Sequence, residues 1–383
     1  MRILILYDSP FPGKGAASRR ISNYRKGLVS LGTEVSILPI RLNGKSVFFS
    51  LLYPLYTLAH LLNLRTVADV YFVYGFGWVS KFVIIGYVRL KRSRVVLEIN
   101  EKPYSIRDSG RRDRVLKYFA PINLYCLTHL VFPFVDGFVV ISEALSEFVS
   151  RYSNRKASIT KIPILVDYQY FQDGQSLPLQ LPHPFMLHSA TLNDSKDGII
   201  AVFEAFSIVH EKYQIPLHFY LSTDLGFRKV TDAIESLVEK AELKPFVHYL
   251  DDPDDDTLLR YQRACDLVVI NKTWTEQNKF NFSTRLGEYL ALGKPIVTTP
   301  VGEVTGYLKD KKHCVYAVPD DPKDIAEKIF LVLSDRKLVG QLHVNAKQIA
   351  KTEFHYRENL EKLKWFFTLL SPGIKGTNSI AAL

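Results

Sequence analysis

The chain has 383 residues, 47% hydrophobic and 23% charged, a balance that excludes a disordered or fibrous protein and suits two globular domains better than one. Its three cysteines, Cys126, Cys265 and Cys314, lie far apart; this excludes a disulfide framework or a cysteine metal site and fits core residues in a reducing cytoplasm. The formal charge of +10 is uneven, because residues 1–180 hold 24 Lys and Arg against 12 Asp and Glu while the rest hold 25 against 27. The first half is therefore expected to face something anionic (lipid headgroups, a lipid-linked pyrophosphate or nucleic acid), the alternative being basicity that serves only solubility.

The opening run from Met1 to Tyr7 is short and is soon interrupted by Asp8 and Pro10. It reads as a buried first strand and not as a signal peptide. A loop with Gly13 and Gly15 follows, then a helix over Ala16–Leu31 with Ile21, Tyr24, Leu28 and Leu31 on one face. Gly32 ends it, and Val35–Pro39 is the next strand. This βαβ opening puts a glycine loop at a strand's carboxyl end, where parallel sheets bind ligands. The loop half-matches a dinucleotide fingerprint. The acidic residue that should close strand two is absent, Arg41 is the nearest charge, and no Walker A loop is present. The loop is expected to contact a substrate through backbone N–H groups, with no NAD.

Val47–Leu64 is strongly apolar but carries Pro54 and His60. It reads as an interfacial or buried helix rather than a spanning one. Aromatic residues beside basic ones recur at Trp78–Arg94, which suits a face against headgroups or a core helix. Val70–Val73 and Val95–Ile99 are further strands. The second leads into Asn100 and Glu101, where a carboxylate is placed for chemistry or for a salt bridge to Arg107, Arg111, Arg112 or Arg114. Gly137–Ile141 is a strand, Ser142 caps a helix over Glu143–Tyr152, and Lys161–Asp167 closes this half.

Asp167–Pro184 is rich in Gln, Pro, Gly and Asp and reads as a linker. Then come a strand at Pro184–Ser189, a polar turn at Asn193–Gly198 and a helix over Ile199–Tyr213; Lys196 precedes that helix as a point charge for a phosphate or as a solvated lysine. Leu217–Leu221, Val247–Leu250 and Asp266–Ile270 read as strands, Val230–Ala241 as a helix. The acidic Asp251–Asp256 lacks calcium-loop spacing and reads as the start of the helix Thr257–Ala264. In Phe282–Gly302, Ser283 and Thr284 are N-cap types, Leu286, Tyr289, Leu290 and Leu292 recur at helical spacing, and Gly293 and Pro295 stop the helix before the strand Ile296–Thr299. The helix start suits a phosphate. Glu288, one turn in, can accept hydrogen bonds from a ribose diol or lie in solvent. The chain closes with a strand at His313–Val318, a helix over Pro322–Asp335, a long helix to about Leu370 and a small, polar tail. Alternating strands and helices in both halves predict an α/β protein: two Rossmann-like, doubly wound domains facing a central cleft.

At this point the sequence resembles the family 4 glycosyltransferases of the GT-B fold. The resemblance is carried by Phe282–Val297, Ser189–Gly198, Asp136–Ser142, Lys161–Asp167 and the Gly13–Gly15 loop, and it spans nearly the whole chain. It implies retaining, metal-independent transfer of a sugar from a UDP-, GDP- or dTDP-linked donor, with no cofactor. It implies that Glu288 holds the ribose hydroxyls, that Lys196 pairs with the donor phosphates, that Ser283 and Thr284 form the helix start at the pyrophosphate, and that Gly13 and Gly15 lie near the phosphates or the acceptor. The domains it implies are 1–168 for the acceptor, 169–352 for the donor, a helix over 353–370 returning to the first, and a flexible tail over 371–383.

The sequence departs from the family pattern in three places. Phe280 stands where a first motif glutamate is expected, with Glu276, Asn278 and Asn281 as nearby substitutes. Ala190 and Thr191 stand where a phosphate arginine is expected, and Arg285 is the compensating candidate. Asn100 and Glu101 replace a common histidine, so Glu101 is the candidate polar group near the anomeric centre. The expected function is a glycosyltransferase at the inner face of the cell membrane, touching it through the basic first domain and acting on a lipid-linked or oligosaccharide acceptor. A catalytically silent GT-B partner in a glycan assembly complex and a nucleotide-sugar epimerase are the alternatives. A nucleic-acid partner is not expected, since the charge comes with no recognised motif.

Overall fold

The computed structural model describes residues 1–13, 15–41, 47–64, 67–104, 111–173, 179–190, 192–223 and 228–371. Lys14, Thr191, Arg107 and most of the polar tail lie outside the described residues. The chain divides into two units, one of Met1–Leu165 with Tyr356–Leu383 and one of Val166–His355.

The first unit alternates β1 (Arg2–Tyr7), α1 (Ala16–Ser30), β2 (Glu34–Pro39), α2 (Val47–Leu62), β3 (Val70–Tyr74), α3 (Trp78–Leu90), β4 (Arg94–Ile99), α4 (Arg111–Cys126), β5 (Gly137–Val140), α5 (Glu143–Tyr152) and β6 (Ser158–Lys161). A π-turn (Leu127–Val131) and a 3-10 turn (Phe132–Phe134) follow α4. The sheet is wholly parallel in the order β2-β1-β3-β4-β5-β6. Strands buried on both faces must be continuously apolar, as Ile3–Tyr7 and Val70–Val73 are. Right-handed crossovers put α1 on one face and α2 to α5 on the other. The order reverses between β1 and β3, so the crevice for a ligand lies beyond Tyr7 and Tyr74.

The core contains one buried polar knot. Arg20 donates from Nε to Glu98 Oε1 at 2.5 Å and from its other nitrogens to Pro163 O (2.5 Å) and Ile162 O (2.9 Å). Tyr24 OH donates to the same Glu98 oxygen at 2.8 Å. The knot fixes α1 on β4. Burial raises the Glu98 carboxyl above its ordinary range, against the pull of Arg20 and Tyr24.

The second unit holds α6 (Tyr168–Gln172), β7 (Phe185–His188), α7 (Asp194–Asp197), α8 (Ile199–Tyr213), β8 (His218–Thr223), α9 (Arg228–Lys240), β9 (Val247–Asp251), α10 (Asp255–Ala264), β10 (Val268–Ile270), α11 (Glu276–Lys279), α12 (Thr284–Leu292), β11 (Ile296–Thr298), α13 (Val304–Tyr307), β12 (Val315–Tyr316), α14 (Pro322–Ser334) and α15 (Arg336–Ile349). Two parallel ladders, β7-β8-β9 and β10-β11-β12, adjoin where Met186 lies opposite Leu267. The combined order β9-β8-β7-β10-β11-β12 reverses between β7 and β10. Met186, Phe219, Val269 and Val297 form the sheet side of the core against Val202, Phe203 and Phe206 of α8 and Ile325 and Ile329 of α14.

Two expectations change. The segment that reads as a linker begins with ordered structure: Asp167 caps α6, and Phe171 is buried. The long last helix is broken. Beyond α15 come a π-turn (Ala350–Phe354), His355 in extended backbone, and then α16 (Tyr356–Leu370) in the first unit. The cause is a competing backbone bond. Val166 N–H donates to Phe354 O at 2.8 Å and Val166 pairs with His355, which pulls that turn out of the helix. Helix α16 packs on α1 and adds Leu360, Leu363, Phe366 and Phe367 to the core.

Candidate functional site

In the second unit, the crevice at the strand-order reversal receives residues from four segments. Strand β7 delivers His188 and Ser189, β10 delivers Asn271, α7 contributes Asp197, and α12 contributes Ser283, Arg285 and Tyr289. Together they line one cavity over an apolar floor that includes Leu187, Val202 and Ile270. Lys272, one residue past Asn271, forms a buried ion pair with Asp197.

The local sequence explains why these groups converge. Asn193 accepts from Lys196 N–H at 3.0 Å and so caps the short α7. Gly198, left-handed at φ 48°, ends it; a Cβ there would collide with the Asn271 side chain. Asn271 Nδ2 donates to Gly198 O at 3.0 Å, Thr273 Oγ1 to Ser195 O at 3.0 Å and Asn278 Nδ2 to Lys196 O at 2.9 Å. The turn carrying Lys196 and Asp197 is thus laced to the loop after β10. Lys272 is held from its backbone: its N–H donates to Thr299 Oγ1, which in turn donates to Lys272 O, both at 2.9 Å.

The electrostatics favour an anion. Burial would raise the Asp197 carboxyl, but Lys272 and then Arg285 outweigh it and hold the group below its ordinary range. Burial depresses the Lys272 ammonium despite Asp197. His188 is only 8% exposed, and burial, reinforced by Arg285, lowers its imidazole to about 4, so the ring is neutral at pH 7. Its Nε2 is buried with no hydrogen-bond partner. Asp197 faces two cations, Lys272 and Arg285, so the charge around the cavity is net positive. The N-terminus of α12 adds its dipole.

Of the residues singled out in the sequence, Ser283 and Arg285 meet in this cavity. Ser283 is the N-cap of α12 but makes no side-chain cap bond; Thr284 is the first helical residue. Lys196 is half-buried on α7 and close enough to Lys272 to depress it. Glu288 is not on the cavity wall. It is 8% exposed and accepts from Gln262 Nε2 of α10 at 3.1 Å. Phe280 ends α11 and is buried. Of its neighbours, Asn278 is 1% exposed with Nδ2 turned onto Lys196 and Thr273, and its Oδ1 is buried without a partner.

Gly13, Gly15 and Glu101 belong to the first unit. Gly13 N–H already donates to Ser18 Oγ at 2.9 Å, and Gly15, at φ 106°, is the N-cap of α1. Glu101 follows β4, half-buried, and helps raise the Tyr74 hydroxyl, whose main cause is burial. Tyr74 OH accepts from Asn100 Nδ2.

Sequence reasoning passed over His188 and Lys272, and in the first unit Asp8 and Lys81. Asp8 Oδ2 accepts from Phe76 N–H at 2.7 Å. Lys81, lowered to about 8 by burial, donates to Phe76 O at 2.5 Å. His188, Lys272 and Asp8 share one signal that was available: each is at, or just past, the carboxyl end of a parallel strand. Among the described residues no group of three or more His, Cys, Asp or Glu side chains is placed to hold a metal ion.

Residues 173–349 match the family model of glycosyl transferases group 1. Among solved structures, the chain is similar to HepE of Anabaena in complex with UDP and glucose, with a TM-score of 0.71 and 16% identity over 96% of this chain and 99% of that one. It is similar to sucrose-phosphate synthase from Thermosynechococcus elongatus, at 0.72 and 16% over 96% and 98%. It is also similar to an E. coli structure described as trehalose-6-phosphate bound with UDP-2-fluoro glucose, at 0.69 and 12% over 96% and 99%. At these identities the likeness is one of fold, the α/β GT-B class with Rossmann-like units. No curated protein matches the sequence.

Proposed function

We propose that the protein is a glycosyltransferase that takes its sugar from a nucleoside-diphosphate donor held by the second unit. The observation that carries this reading is the cavity at the β7/β10 reversal, where Arg285, the start of α12 and the unpartnered Nε2 of His188 meet. That combination suits a diphosphate. Arg285 offers a charged fork, the helix start offers backbone N–H groups, and neutral His188 can donate from Nε2. Stabilising the diphosphate as it leaves lowers the barrier to breaking the sugar–phosphate bond.

The finer assignments belong to the same proposal. Transfer is retaining and metal-independent. Glu288 binds the ribose, Lys196 adds charge at the phosphates, and Arg285 takes the role of the absent arginine. Glu101 is the polar group serving the sugar and acceptor, and Gly13 and Gly15 offer backbone contacts. The acceptor is a lipid-linked glycan of a surface polysaccharide or glycolipid, met at the inner face of the cell membrane. Nucleotide-bound neighbours support the donor class: HepE is described in complex with UDP and glucose.

The test is a panel of UDP, GDP and dTDP followed by thermal shift and titration calorimetry. Stabilisation by at least one is expected, and its loss in Arg285→Ala. No stabilisation by any nucleoside diphosphate overturns the proposal. A second reading rests on buried Phe280, which leaves an apolar ring where a carboxylate is expected. A catalytically silent protein would bind the nucleotide yet show no turnover with donor and a lipid-linked acceptor.

A further inference from the structure

Helix α2 has two apolar sides where packing needs one. Thr57 and Leu61 are fully buried, while Leu52, Leu55, Ala59 and Leu62, spaced three and four apart, form an exposed stripe on the opposite side. The neighbouring helix α3 repeats the pattern. Ile84 and Val88 are fully buried, and Val79 and Phe82 are exposed. Helix α4, held to the start of α3 by Trp78 Nε1 donating to Asn123 Oδ1 at 3.0 Å, exposes Phe119, Ile122 and Tyr125. Helices α2 and α3 pack on one another, and α3 packs on the π-turn that continues α4, so these residues share one layer. In the second unit the exposed large apolar residues, such as Tyr249, Trp274 and Val344, are scattered over separate elements.

The same stretch carries a net charge close to that of the whole chain. Residues 41–134 hold 14 Lys and Arg against 5 Asp and Glu, a net +9 of the total +10. Helices α2 and α3 contain no carboxylate, and α4 contains only Asp113. Exposed Lys91 and Arg92 sit directly at the end of α3, and Arg111, Arg112, Arg114 and Lys117 occupy the first two turns of α4.

We propose that the α2–α3–α4 layer is the face by which the protein lies on an anionic lipid surface. Its outward Leu, Val and Phe side chains enter the boundary between headgroups and acyl chains, and the flanking cations engage lipid phosphates. Two observations favour lipid over a protein partner. The apolar positions are spread over three helices instead of being gathered into one aromatic anchor, and the charge of the stretch is predominantly positive. No helix among the described residues is long and apolar enough to cross a membrane, so the contact is interfacial. The proposal extends the membrane contact put forward above, and its readout does not depend on transfer activity.

The experiment is flotation of the full chain with vesicles of phosphatidylglycerol and phosphatidylcholine in equal parts, and of phosphatidylcholine alone. Binding is expected to the anionic vesicles, weakened by salt and much weaker on the neutral ones. Leu55→Ser with Phe82→Ser should lower partitioning by roughly tenfold or more, since each removes an apolar side chain from the interface. Lys91→Glu should act mainly at low salt. Val344→Ser, an exposed apolar change in the second unit, should leave binding unaltered. Melting curves and nucleotide titration confirm that each variant is folded. Two results overturn the proposal: no binding to anionic vesicles at low salt, or a wild-type dimer in light scattering that the Leu55/Phe82 variant converts to monomer, which would assign the face to a second copy. Failure here with nucleotide binding intact leaves the transferase reading standing, and the reverse result leaves the surface standing.

Discussion

Replacing His188 removes a titration that the fold suppresses. An imidazole in the unfolded chain titrates near 6.5, and in the fold burial and Arg285 bring it to about 4. The sign follows from proton counting. Between those two values the unfolded state binds the proton and the folded state does not, so stability rises with pH across the window and is lost as pH falls. Integrating from pH 7 to pH 5 gives a loss of about 2 kcal/mol from this one group. Other partly or fully buried histidines (His210, His218, His248 and His313) are lowered too, but they contribute equally to wild type and variant and cancel in the difference. The assay is urea unfolding of wild type and His188→Gln at both pH values, read by hydrogen exchange of peptides from β7 and β10 so that the second unit is followed by itself. Wild type should lose about 2 kcal/mol more than the variant on going to pH 5. Parallel losses in the two proteins would falsify a buried, neutral His188 and with it the view of this crevice as a site held ready for an anion.

Arg285→Ala should weaken nucleoside-diphosphate binding by about 10- to 100-fold, because a charge-assisted contact to phosphate is lost, with little change in the melt; titration calorimetry reads it. Arg20→Met should destabilise the first unit by about 3–5 kcal/mol, since Glu98 is left buried without its ion-pair partner, and adding Glu98→Leu should recover part of that loss in denaturant titrations. Gly75→Ala should cost about 1–3 kcal/mol or more, because Gly75 sits at φ 85° and a Cβ there collides with the Asp8 carboxylate. A Gly75→Ala melt that matches wild type would show that the Asp8 turn is free to shift.

The architecture of each unit was legible from local sequence pattern. Continuous apolar runs such as Ile3–Tyr7 can only be strands buried on both faces, and the helical periods between them force parallel crossovers. The anion-suited start of α12 was legible too, because Ser283 ahead of the periodic run and Gly293 behind it are local signals read within one turn. Which side chains meet there depends on long-range packing. His188, Asp197, Lys272 and Arg285 come from four segments, and no spacing rule links position 188 to position 285. Glu288, which its position one turn into α12 left open between ligand and solvent, is buried against Gln262 for the same reason: what faces a helix depends on the element that packs across from it. The break before α16 is equally nonlocal, since it is set by Val166, far away in the chain. Apolar Leu52 and Leu55 were legible as a helix in either setting; that they point outward followed only once α3 and the sheet had taken the other side. Period and composition act within a few residues, whereas desolvation, charge pairing and exposure are fixed by whatever the fold brings alongside.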